Sequence, residues 1–319
     1  MIRYLAHNEI DFEKWDACIG QAINGLIYAY SWYLNMAAPG WDALVEGDYH
    51  AVMPLPNRRK FGISYVYHPC FVQQLGIFGS GNLSANVTKR FIDAIPRHIR
   101  NIDYPLNTYN QFESFDGFTV KRGITHHLDL IEPYEQIAAR YSTNTRRNLA
   151  KAHRHGIYVA HTGRPEEIVG AFRQNRGRKL ESFAAKDYER LKHLIYAGIH
   201  RGMVSLISAY NDKNSFCAGI VIFRSNRKAV LLFTGNTPEG LQSGAMFALI
   251  DDYIKKESGV DLVFDFEGSS DLQLARFYKG FGSKECVFLQ IKFNRLPRLV
   301  WPFLKAYQSR RKVFWKGLF

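Results

Sequence analysis

The sequence is short of everything that would mark a membrane-spanning, disulfide-stapled or metal-binding chain. No apolar run reaches the roughly 18 residues that a spanning helix needs. The opening Met1-Ile2-Arg3-Tyr4-Leu5-Ala6-His7-Asn8-Glu9 has neither the basic start nor the apolar stretch of a secretory signal. A cytoplasmic protein that does not span a membrane is expected. Cysteine is scarce: Cys18, Cys70, Cys217 and Cys286 are too scattered for paired metal ligands, and a chain of 319 residues does not need disulfides. They read as reduced, mostly buried thiols. No HExxH or paired CxxC occurs, and His126, His127, His153 and His155 are spaced so that no two share one helical face, so no metal is expected. Repeats, low-complexity tracts and sustained heptads are also missing, which sets aside solenoids, flexible linkers and a long coiled arm.

Acidic residues are missing locally. From Gln136 to Pro165 there is no Asp or Glu, while Arg140, Arg146, Arg147, Lys151, Arg154 and Arg164 fall in that stretch. From Lys292 to Phe319 the chain is again acid-free, with Lys292, Arg295, Arg298, Lys305, Arg310, Arg311, Lys312 and Lys316. These two stretches concentrate the formal charge of +13 and favour anionic partners: phosphates, RNA, acidic carrier proteins or lipid headgroups.

What is present suits two globular domains, expected over 1–132 and 133–319. Hydrophobic residues make up 46% and charged residues 22%, and 23 Phe with 18 Tyr supply large side chains for two cores. In the first half, Trp41–Val45 and Tyr49–Leu55 flank Glu46-Gly47-Asp48 as a hairpin, and Tyr65–Tyr67 and Phe71–Phe78 read as strands. The apolar spacing of Phe91, Ile92, Ile95 and Ile99 predicts a helix over 85–100, complicated by Pro96. In the second half, 134–155 has helical composition, with a restart near Ser142 or Asn144 and an end at Gly156. Met203–Tyr210, Phe216–Phe223 and Ala229–Phe233 form a predicted antiparallel meander. A helix over 243–256, a strand over 260–266, a short helix over 271–279 and a strand over 286–293 complete the order.

Three segments in that order carry a resemblance. Arg276-Phe277-Tyr278-Lys279-Gly280-Phe281-Gly282 resembles both the Phe-Tyr-x-x-x-Gly element of GNAT acyltransferases and the Arg-Phe-Lys-x-x-Phe-Gly element of the FemAB-like family. Asp265-Phe266-Glu267-Gly268-Ser269 resembles the FemAB-like Asp-Phe-Gly-Gly-Ser segment, and Ser142 to Gly156 resembles the basic helix opening the second FemAB-like domain. The resemblance implies an α+β protein of two tandem GNAT-like domains, of the acyl-CoA N-acyltransferase fold, with mixed central sheets flanked by helices. It implies an N-acyltransferase that moves an acyl or aminoacyl group from acyl-CoA, acyl carrier protein or aminoacyl-tRNA to an amine acceptor, such as a cell-envelope precursor. The tRNA-dependent reading is weakened because the helical arm of the cell-wall enzymes has no counterpart.

Acyl transfer to an amine needs a base, a donor groove and an acid for the leaving group. Tyr278 is the candidate acid by its match to the GNAT tyrosine, although FemAB-like chains carry Lys there and here Lys279 falls one place later; the plainer reading is a core tyrosine on a helix facing a sheet. Glu267, at a predicted strand end, is the candidate base; the plainer reading is a solvated or capping carboxylate. The donor pyrophosphate of GNAT proteins sits at the helix after the meander, here Gly235, Asn236, Gln242, Ser243, Gly244 and Ala245, with acyl-CoA the expected co-substrate and no permanently bound cofactor. Leu241 and Met246 depart from the motif, and a ligand-free glycine loop is the alternative. Arg146, Arg147, Lys151 and Lys279 are candidate substrate contacts, against a merely solvated helix face. A basic tail interleaved with Trp301, Phe303, Phe314, Trp315 and Phe319 suits peripheral contact with the inner membrane face or, equally, docking on the core. The alternative function is a non-catalytic module that holds RNA or anionic membrane by the basic helix and tail.

Overall fold

A computed structural model describes residues 1–112, 117–175, 177, 184–268 and 271–295. The tail from Leu296 and the Ser269 end of the Asp265 segment lie outside them. Two units emerge: Met1–Gly123 joined by the described residues from Val287 to Arg295, and Ile124–Cys286. The first is therefore discontinuous in sequence.

The first unit begins with β1 (Ile2–Leu5), α1 (Phe12–Gln21) and α2 (Ser31–Ala37), followed by β2 (Asp42–Glu46) and β3 (Ala51–Leu55). β2 and β3 form the expected hairpin, with Gly47 at φ +61 in its turn. After β4 (Asn57–Lys60) and β5 (Ile63–Val66) come β6 (Phe78–Gly79), α3 (Ala85–Asp93) and β7 (Ile99–Pro105). One sheet has the order β1-β2-β3-β6; in the other, β4 pairs antiparallel with β5, and β5 parallel with β7. The strand expected over 71–78 is reduced to β6, since Gly76 at φ +104 bends the chain and Leu75 makes only an isolated bridge to Leu106. The helix expected over 85–100 stops at Asp93 with Ala94 as its cap, two residues before Pro96, whose ring disfavours helical backbone ahead of it.

The second unit takes the chain from within β8 (Phe118–Asp129) through α4 (Tyr134–Ala139), α5 (Thr143–Arg154), β9 (Tyr158–Ala160), α6 (Pro165–Gln174) and α7 (Ala185–His200). Ser142 restarts the helix as expected: its hydroxyl accepts from Thr145 N at 3.1 Å, and Gly156, at φ +61, follows the end of α5. The meander is β10 (Val204–Tyr210), β11 (Phe216–Ser225) and β12 (Lys228–Asn236). α8 (Pro238–Ser243), α9 (Ala245–Glu257), β13 (Val263–Asp265), α10 (Leu272–Lys279) and β14 (Lys284–Asn294) follow, and β14 ends in the first unit, where it pairs antiparallel with β7. The sheet order β8-β13-β12-β11-β10-β9 is mixed, its one parallel pair being β12 with β13.

Helices cover both faces of this sheet. On one, Leu249, Ile250, Tyr253 and Ile254 of α9 recur at helical spacing and bury against Ile220, Ile222, Leu231 and Phe264, with Tyr141, Tyr278 and Phe281 in the same core. Each such side chain contributes about 1.5–3 kcal/mol by leaving water. On the other face Phe172 of α6 meets Phe233 at 4.7 Å between ring centroids, and Gly198 of α7 lies against Phe223.

Candidate active site

The second unit has a break in its sheet that local sequence alone does not announce. β12 and β13 pair over Lys228↔Val263, Ala229↔Phe264 and Val230↔Asp265; there β13 ends, while β12 continues to Asn236. Two parallel strands that part at their carboxyl ends leave a place where strand-end groups converge.

The chain leaving β13 is tightly specified. Phe266 N donates to the His126 carbonyl at 2.9 Å, and Glu267 and Gly268 follow in the left-handed region at φ +52 and +57. That conformation is costly for glutamate and persists where the surroundings fix it. Asp265 does so: its Oδ1 accepts from Glu267 N at 2.9 Å. The Glu267 side chain is 1% exposed, and burial pushes its carboxyl well above the ordinary carboxylate range. The same burial favours the protonated form of this carboxyl over the carboxylate.

Asp265 belongs to a cluster on the opposite side of β13 from Phe264. Thr125 donates its hydroxyl to Asp265 Oδ1, and His127 Nε2 lies 3.1 Å from Oδ2. Burial alone would raise the Asp265 carboxyl, but the His127 charge and the bonds from His127, Thr125 and Glu267 hold it low. In turn Asp265, helped by Cys286, outweighs desolvation and lifts the His127 imidazole. Lys228 is buried as well; desolvation lowers its ammonium to about 8, partly offset by Asp265. Sequence reasoning considered the histidines only as metal ligands and missed this cluster. The available signal was alternation: Thr125 and His127 share one face of β8, and the β8–β13 register sets Asp265 opposite His127. Among the described residues no group of three or more His, Cys, Asp and Glu is placed to hold a metal ion.

Tyr278 lies in the core, 4% exposed. The Phe266 ring is 4.8 Å away and the His126 ring 6.3 Å away. Burial and the Lys279 charge push the His126 imidazole down. Lys279 points elsewhere: its ammonium is exposed and meets Glu285 at 2.9 Å.

The other candidates are dispersed. Gly235 is buried on β12 where a Cβ would collide with the Ile168 carbonyl of α6. Gly244, at φ +82, presents its open side to the Asn148 carbonyl of α5, which a Cβ would approach to 2.8 Å. Ser243 and Ala245 are buried beside it, whereas Gln242 is exposed and Asn236 half-buried. The close approach that Gly235 and Gly244 permit is thus taken by this chain's own backbone. Arg146 and Arg147 lie exposed on α5, where Arg146 donates to the Ala139 carbonyl at 2.7 Å and Arg147 to Asn144 Oδ1 at 3.1 Å; Lys151 is half-buried.

No protein-family model and no curated protein matches the chain by sequence. Solved structures do match it in shape. FemX superposes with a TM-score of 0.62 at 12% identity, over 95% of this chain and 99% of that one. A conserved protein of unknown function from Bacteroides thetaiotaomicron gives 0.57 at 10% identity, over 92% and 100%. The C-terminal domain of a putative lysylphosphatidylglycerol synthetase from Agrobacterium fabrum gives 0.51 at 9% identity, over 94% and 95%. The chain therefore shares its fold with FemX and with that synthetase domain: α+β, with mixed sheets flanked by helices. Among the described residues, no helix is long and apolar enough to cross a membrane.

Proposed function

We propose that the protein is an N-acyltransferase that transfers an acyl or aminoacyl group from a carrier to an amine. The observation that carries this reading is Glu267: a buried carboxyl with a raised pKa, fixed in a strained backbone conformation where β12 and β13 part. A purely structural role would be served as well by an uncharged residue, at lower cost. In the reaction the acceptor nitrogen attacks the carbonyl carbon of the donor ester or thioester. The N–C bond forms as the C–O or C–S bond breaks; Glu267, in its carboxylate form, takes the ammonium proton, and the Tyr278 hydroxyl protonates the departing oxygen or sulfur.

Likeness of fold to FemX and to a putative lysylphosphatidylglycerol synthetase domain supports transferase chemistry in general. Acyl-CoA, acyl carrier protein and aminoacyl-tRNA are the donor classes, all anionic, and the exposed Arg146 and Arg147 with Lys151 are the proposed contacts for them. The test is a donor screen on the full chain. One class should raise the thermal midpoint and, with an amine present, give an acylated product by mass spectrometry. Glu267→Gln and Tyr278→Phe should bind that donor and form little product. Failure of all three classes to bind, or product formation undiminished in both variants, would overturn the reading.

A further inference from the structure

β4 and β5 are joined by two residues, Phe61 and Gly62, between the paired Lys60 and Ile63. Both take positive φ, +51 and +75, as a type I′ turn requires. That turn favours Asn-Gly, and elsewhere in this chain the β11–β12 turn follows the preference, with Asn226 at φ +47 leading. Phenylalanine in the leading position carries backbone strain. It also leaves a large ring in water, for Phe61 is 87% exposed. Two separate costs are thus met at one residue, and packing within the unit returns neither.

The surroundings of Phe61 are cationic. Arg58, Arg59 and Lys60 precede it directly, and from Tyr49 to Ile92 the chain holds no Asp or Glu. Lys60 Nζ lies 5.2 Å from the Phe61 ring centroid, and Arg58 stacks on Tyr67 at 4.2 Å. Because Ser64 of β5 pairs in parallel with Ile99 of β7, the start of β7 reaches the same end of the sheet, and the exposed Arg97 of the turn before it and Arg100 of its first residues join the set. Nearby carboxylates are engaged elsewhere: Asp42 with Tyr4 and Asn57, Asp93 with Lys89, and Asp103 with Lys292.

From this geometry we propose that the β4–β5 hairpin tip docks on an anionic lipid surface, Phe61 entering the headgroup–acyl boundary while Arg58, Arg59, Lys60, Arg97 and Arg100 contact the headgroups. A lone ring surrounded by cations and without neighbouring acid matches such a boundary, apolar inside and negative outside. It is ill-matched to a protein groove, which would call for a broader apolar face. The assignment does not depend on the transferase reading.

Its test uses the full chain in sedimentation with phosphatidylcholine vesicles, with and without phosphatidylglycerol. The wild-type protein should partition to the phosphatidylglycerol vesicles and be released by salt. Phe61→Asn restores the preferred Asn-Gly turn, so its thermal midpoint should equal or exceed that of wild type, while its partitioning falls about tenfold or more. Arg59→Gln with Lys60→Gln should weaken partitioning by about tenfold at low salt. Phe61→Trp should keep it and add blue-shifted emission. The proposal is overturned if wild type ignores phosphatidylglycerol, if it binds pure phosphatidylcholine equally, or if Phe61→Asn partitions like wild type. It is equally overturned if the substitutions weaken binding to a single-stranded RNA and leave vesicle binding unchanged.

Discussion

Replacing Glu267 by Gln separates the role of the carboxyl from that of the backbone turn, because the amide keeps the shape of the side chain and removes its titration. The sign of the stability effect follows from proton linkage. Burial raises the folded-state pKa above the ordinary value near 4.5, so the unfolded chain releases this proton first as pH rises. Below about pH 4 both states are protonated, and wild type and variant should differ by no more than ~1 kcal/mol. Above that point the folded wild type holds a proton that the unfolded chain has lost. Its stability relative to the variant should then fall by up to about 1.4 kcal/mol per pH unit until the folded pKa is passed. Urea denaturation of both proteins between pH 4 and 9 measures that difference. Activity should move the opposite way: loss of an acid–base group lowers kcat by about 10²–10⁴-fold, and the acidic limb of the wild-type profile should vanish. A stability difference flat across this range would show that the carboxyl titrates as in the unfolded chain, and the chemistry assigned to Glu267 would fall with it.

The cluster beneath Glu267 and the sheet-to-helix contact invite two further measurements. Asp265→Ala takes the acceptor from Thr125, from Glu267 N and from the His127 imidazole, and should cost about 3–5 kcal/mol in urea unfolding; a loss under ~1 kcal/mol would show the cluster to be loosely coupled. Gly235→Ala drives a methyl into the Ile168 carbonyl and should cost about 1–3 kcal/mol or more unless α6 moves away, so a wild-type melting curve would contradict the packing of α6 on β12.

Local sequence patterns carried most of the second unit. Ser142 and Gly156 bracket α5, the apolar spacing of Leu249, Ile250 and Tyr253 gives α9, and the turns at Asn211 and Asn226 set the meander. What could not be read was whatever depends on a distant partner. β14 was legible as a strand, but not its pairing with β7, nearly two hundred residues earlier, where Lys292 also finds Asp103. The same holds at the site. Tyr278 and Glu267 were singled out one at a time, while the Asp265–His127 pair arises only when β13 and β8 meet in register. The glycines at 235 and 244 suggested room for a ligand; the residues that fill that room, Ile168 and Asn148, lie far away along the chain.

The return of β14 to β7 has a consequence for biosynthesis. A nascent chain that has emerged only as far as Cys286 lacks Gln290 to Asn294, the partners of Asn101 to Pro105, and the carbonyl of Leu289 that receives the Leu106 amide. The half made first must therefore wait, with one strand edge open, until the last strand has been made. Until then the exposed edge of β7 is where a chaperone would find its hold.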